Sequence, residues 1–173
     1  MLLGSKDRSR WKEAEAAYRK SLELRDSPED QGQVWHSLGN LLSKDRSRWK
    51  EAEAAYGKSL ELRESPEEQG QVRASWADGL MKLSDPSVYD DVEEHALAAQ
   101  RLDPGVKTRG VTSRVLADLY EARGQWPEAV AALEALLEAD RLLHHSRFES
   151  VNRQRIDRFR RKIAAGSPQA PDS

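Results

Sequence analysis

The chain has 173 residues, 34% of them charged and 38% apolar, with a net charge of −2 and no cysteine. That length allows one small domain, and the near-neutral charge gives no field to recruit nucleic acid or a membrane surface. Missing thiols exclude disulfides and thiolate metal sites. Met1 to Gly4 is too short for a secretory leader and no apolar run approaches a membrane span, so the expectation is a cytoplasmic protein without membrane contact.

In chain order, Trp11, Ala14, Ala17, Tyr18, Ser21 and Leu22 advance by three or four or lie side by side, which predicts one apolar helix face. Ser27-Pro28-Glu29-Asp30 then reads as a helix start: a hydroxyl N-cap, a proline that forfeits no helix bond, and acids at the positive end of the dipole. Val34, Trp35, Leu38, Leu41 and Leu42 continue that helix, and the wholly polar Lys44 to Arg48 ends it in a turn. Residues 5–34 now return as 43–72, a lag of 38, with only Arg19/Gly57, Asp26/Glu64 and Asp30/Glu68 changed. A unit of this length cannot bury its apolar face alone, so neighbours stack. Identity between copies is what a recent duplication leaves and does not mark a site.

The second start, Ser65-Pro66-Glu67-Glu68, has the form of a capping box in which Glu68 reaches back to the Ser65 N–H. The pattern then loosens. Val72, Trp76, Leu80 and Leu83 outline a helix, Ser84 to Ser87 a turn, and Tyr89, Val92, Ala96 and Ala99 its partner, ended near Asp103-Pro104-Gly105. A further pair carries Val115, Leu116, Leu119 and Tyr120, then Gly124-Gln125, then Trp126, Ala129, Leu133, Leu136 and Leu137. Phe148, Val151, Ile156, Phe159 and Ile163 give a last amphipathic helix, and Gly166 to Ser173 is expected to be a frayed tail.

These residues resemble the tetratricopeptide repeat (TPR) family. The fourth unit carries the likeness best, through Leu116-Ala117, Tyr120, Gly124, Trp126, Ala129, Leu133 and Leu136 at the family's spacings. The second matches through Trp35, Leu38-Gly39, Leu42, Trp49, Ala52, Tyr56 and Leu60, with one extra residue in its turn. The third is weaker, with Ala77 at the glycine position and Ala96 where an aromatic is expected; of the first, only a stub of its leading helix remains at Met1 to Gly4. The long linker and near-identical copies are similar to the extended TPRs of kinesin light chains and of bacterial signalling ATPases. The resemblance implies an all-α, right-handed α-α superhelix. Its helix pairs would span 1–28, 29–65, 66–104 and 105–143, with a capping helix over 144–165 and a tail over 166–173. Gly39 facing Ala52, and Ala117 facing Ala129, would let each pair cross closely.

What the family implies for function is a protein-interaction scaffold that binds a peptide or helical partner in a groove lined by the first helix of each pair. Here that stripe would be Gln33, His36, Asn40, Ser43, Gln71, Ala74, Asp78, Met81, Arg114, Asp118 and Glu121. The lysine-asparagine clamp that some members use for a C-terminal carboxylate is not implied, since only Asn40 matches it and Asp78 and Asp118 oppose it. Two other roles stay open: a piece of a larger sensor or oligomerisation arm, and a nucleic-acid adaptor. The adaptor role would use residues 146–173, where seven Arg and Lys stand against three Asp and Glu. Self-association through the uncovered Trp11 helix is a further expectation.

No catalytic motif, cofactor loop or metal-ligand spacing stands out. Adjacent His144 and His145 on a helix point about 100° apart, and acid pairs such as Glu13/Glu15 lie on a solvated face. The chain reads as a non-enzyme without cofactor or metal.

Overall fold

A computed structural model describes residues 5–145 and 147–166, with side chains from Arg10 onward. The helix stub expected at Met1 to Gly4 and the end of the expected tail, Ser167 to Ser173, lie outside the described residues. Within them the chain is all α: α1 Ser5–Leu24, α2 Pro28–Leu42, α3 Trp49–Leu62, α4 Pro66–Met81, α5 Tyr89–Leu102, α6 Val106–Arg123, α7 Trp126–Leu142 and α8 Glu149–Ala164. Each packs on its neighbours in sequence, most extensively α2 on α3, α4 on α5 and α6 on α7. Successive first helices also meet, α2 with α4 and α4 with α6, whereas successive second helices scarcely do. The array is therefore tightest along α2, α4 and α6 and curves toward them. It is a TPR-type solenoid.

The helix starts follow the sequence. Ser27 and Ser65 are N-caps whose hydroxyls accept from the backbone N–H of Asp30 and Glu68, each with proline at the first helical position. The reciprocal half of the expected capping box does not form. Glu68 instead pairs with Arg63, at 2.6 Å, because that guanidinium is buried to 6% exposure and needs a counter-charge, and Ser65 donates to Glu67. Lys44 to Arg48 is a turn completed by a short 3₁₀ segment, Arg46–Arg48, capped by Asp45.

The expected crossing of Gly39 with Ala52 is also refined. A Cβ added to Gly39 would stand 2.7 Å from the Tyr56 ring, so the missing side chain makes room for an aromatic edge. Ala52 is fully buried beside it. Tyr56 is itself wholly enclosed and donates its hydroxyl to Asn40 at 2.9 Å. Burial pushes that phenol up to about 12. On the last helix only Ile156 and Phe159 of the expected apolar stripe are buried, while Phe148, Val151 and Ile163 are exposed. His144 and His145 sit in the turn beyond α7, His144 with positive φ, and not on a helix.

Candidate functional site: the face of the first helices

Two cavities open on the face that α2, α4 and α6 present. One, of roughly 610 Å³, is lined by His36, Gln71, Ala74, Ser75, Asp103, Val106 and Lys107, among others. The other, of roughly 640 Å³, lies between α6, the end of α7 and α8, with Val111, Leu136, Leu143, Phe148 and Val151 as its apolar floor. Lys107 and Val111 line both, so the two adjoin in one trough. Phe148 is 57% exposed and Val151 53%. Exposed apolar side chains gathered in one concavity are what a polypeptide ligand can cover.

Electrostatics along the trough are settled within the chain. Asp78 accepts from Arg114 on the next first helix, at 2.8 Å, and from Lys82. Burial alone would raise its carboxyl, but those two hydrogen bonds outweigh it and hold Asp78 below its ordinary value. Arg155 of α8 reaches Asp118 at 2.7 Å and Glu121 at 2.6 Å, and Arg158 also bonds Glu121. His36 shares a 2.9 Å hydrogen bond with Ser75, tying α2 to α4, and burial together with the Arg63 charge brings its imidazole down to about 4. His95 stacks on Trp76 at 4.3 Å and receives a hydrogen bond from Arg73. Burial and the Arg73 charge lower it too. That ring is neutral, with its Nδ1 as acceptor, since guanidinium can only donate.

The stripe expected from the sequence divides accordingly. His36, Gln71 and Ala74 meet in the first cavity, Ala74 as a buried wall; Arg114 and Asp118 meet in the second. Gln33 is exposed on α2 outside both. Asn40 and Ser43 are engaged by the Tyr56 hydroxyl, Met81 packs into the core, and Glu121 holds the α8 arginines. Lys107, Val111, Phe148 and Val151 were absent from the expected stripe. Stepping back from Arg114 by three and by seven reaches Val111 and Lys107, so the helical register held the signal for those two. Phe148 and Val151 belong to the apolar stripe that the sequence predicts for the last helix, yet both are exposed. Among the described residues no cluster of three His, Asp or Glu is placed to hold a metal, and no helix is long and apolar enough to cross a membrane.

The tetratricopeptide repeat family model matches the chain twice, over residues 34–70 and 113–143. Those stretches take in α2 with α3 and the end of α6 with α7, joined by helices stacked in the same way. The two matches and the tandem helices together fit a tetratricopeptide-repeat protein. No curated protein and no solved structure matches the chain. TPR arrays mediate protein–protein interaction, and that general role is the one the family carries here.

Proposed function

We propose that this TPR protein is an interaction scaffold, not an enzyme, and that a peptide or helical segment of its partner lies in the trough along α2, α4 and α6 toward α8. The observation that carries this is the pair of cavities adjoining at Lys107 and Val111, with Val111, Phe148 and Val151 exposed on their walls. The expected stripe then has two roles. His36, Gln71, Arg114 and Asp118 face the ligand, while Asn40, Ser43, Met81 and Glu121 hold the helices that shape the groove. The units of this reading are 1–28, 29–65, 66–104 and 105–143, with a capping helix over 144–165 and a tail over 166–173.

The adaptor role for the basic last helix is less well supported. Arg153, Arg155, Arg158 and Arg160 all have carboxylate partners, which suits a cap over the end of the array.

A displayed peptide library panned against the chain tests the groove. Enriched peptides should lose at least about tenfold in affinity with Val111→Asp or Val151→Asp, which bury a charge under the ligand. They should be indifferent to Lys58→Glu on exposed α3. Peptides that ignore both groove changes would overturn the assignment.

A further inference from the structure

The helix pairs close differently at one place. Gly32, Gly70 and Gly110 hold the same position in the second turn of α2, α4 and α6. A Cβ on Gly32 would meet the Arg63 side chain at 3.0 Å, and one on Gly70 would meet Asp103 at 2.6 Å. On Gly110 it would meet Ala139 alone among the described residues, at 3.6 Å. Arg63 and Asp103 directly follow α3 and α5 and fold onto those glycines. Counted from the helix starts Trp49, Tyr89 and Trp126, the third such position is Asp140, but α7 runs on to Leu142 and leaves Asp140 at the rim of a cavity. Helix α8 then packs on α7 and scarcely on α6, so the space beside Gly110 stays open.

Asn152 of α8 lines that cavity. It is 6% exposed, and its side-chain amide has no hydrogen-bond partner among the described residues. A buried amide calls for both an acceptor and a donor, while the neighbouring walls, Val111, Leu136 and Val151, call for apolar cover. Elsewhere the chain meets the same two demands with one side chain. Tyr56 lays its ring edge where Gly39 has no Cβ and donates its hydroxyl to Asn40 at 2.9 Å. Of the large apolar rings, phenylalanine would leave the Asn152 amide unmet and tryptophan can only donate. A phenol donates and accepts.

We propose that the cavity between α6, α7 and α8 is a seat for a tyrosine side chain of the partner polypeptide, with its ring beside Gly110 and Val151 and its hydroxyl on the Asn152 amide. This rests on the reading of the trough as the peptide-binding face. Charge at the rim sets what flanks the tyrosine. Arg114, Asp118 and Arg155 are paired within the chain, with Asp78, Arg155 and Asp118. Lys107 and Asp140 have no ion-pair partner among the described residues. Lys107 stands where the cavity adjoins its neighbour by His36, and Asp140 where it adjoins a smaller hollow by Leu137 and Arg141. The partner segment therefore carries an acid on the Lys107 side of its tyrosine and a base on the Asp140 side.

N-acetyl-tyrosinamide, titrated at millimolar concentration into the full chain and followed by NMR, is expected to shift the Asn152 side-chain amide and the Val111 and Val151 methyls. N-acetyl-phenylalaninamide should bind at least about fivefold more weakly, the factor for one buried hydrogen bond left unmade. Asn152→Ala keeps room for the ring and should erase that preference, while Gly110→Leu fills the seat and should abolish binding at unchanged helix content. Peptides panned against the chain should share a tyrosine whose change to phenylalanine weakens binding to the native chain but not to Asn152→Ala. Equal binding of the two amides, or no shift with either, overturns the proposal. Enriched peptides that need Val111 and Val151 but no tyrosine also overturn it and leave the groove standing; if they still need Asn152, its amide reads a peptide backbone. Tyrosinamide held at Asn152 while the panned peptides ignore Val111→Asp and Val151→Asp would overturn both the groove and the partner's tyrosine, leaving a site for small phenols.

Discussion

Position 19 and position 57 are the same site in the two copies, arginine in one and glycine in the other. Arg19 bonds Glu15 one turn earlier at 3.0 Å, while a side chain added at Gly57 would meet nothing within 4 Å. Glycine inside an exposed helix costs about 1 kcal/mol relative to alanine. Gly57→Arg, which also restores a pairing with Glu53, is therefore expected to stabilise the protein by about 1 kcal/mol in urea unfolding. The opposite holds at Gly39, where alanine would push into the enclosed Tyr56 ring and should cost about 1–3 kcal/mol. Histidines set the acid response. His36 and His95 are both depressed in the folded chain, so the unfolded chain takes up protons first as pH falls. The stability they contribute is complete above the ordinary value of 6.5 and is lost as pH falls toward about 4 for His36. For His36 the loss is at most about 3 kcal/mol, less in proportion to its remaining exposure. Glu15 acts lower: the hydrogen bond from Arg48 holds it down at about 2, so its share is kept above 4.5 and lost below. Urea midpoints should fall between pH 7 and pH 5, and His36→Gln with His95→Gln should flatten that slope; a midpoint that rises would contradict the sign.

Helix α8 shows what an element adds beyond its sequence pattern. Its arginines read as a charged outer face, yet Arg155, 19% exposed, turns inward and joins the cap to α6 through Asp118 and Glu121. Arg155→Gln should cost about 1–2 kcal/mol in thermal unfolding, between an exposed ion pair and a buried one, whereas Arg153→Gln, losing only an exposed pair within one turn, should stay within about 0.5 kcal/mol. The helices themselves were legible because their starts are local chemistry: Ser27-Pro28, Ser65-Pro66 and the left-handed Gly124 after α6 each act within one turn. The groove was legible only in its register. Periodicity places Arg114 and Asp118 on the first-helix face, but that Asp118 is neutralised by a residue 37 positions away is long-range packing. Ser5 to Arg10 marks the limit of local reading, since the same six residues are helical there and form a turn with a 3₁₀ segment at Ser43 to Arg48, where the chain links α2 to α3.

Across the whole molecule the core falls into two clusters. The smaller joins α2, α3 and the start of α4 around Leu38, Tyr56 and Val72; the larger runs from Ala77 and Leu80 through α5, α6 and α7 to Phe159. Trp49 and Trp76 pack against both. Trp76 also stacks between Tyr56, at 5.7 Å, and His95, at 4.3 Å, so one ring carries contact from the second unit into the third. In a solenoid, each unit's stability is its own plus that of its interfaces, and cooperativity survives only while the interface terms are large. Truncating this ring removes an interface term and little intrinsic helix stability. Trp76→Ala is thus expected to cost about 3 kcal/mol and to broaden or split the single unfolding transition. Hydrogen exchange should then show α1 to α3 opening at lower denaturant than α5 to α7. A variant that unfolds at lower denaturant but still in one transition, with uniform protection across both clusters, would place the coupling elsewhere, in Trp49, whose ring takes the space that a Cβ on Gly79 would need (such a Cβ would stand 2.8 Å from it).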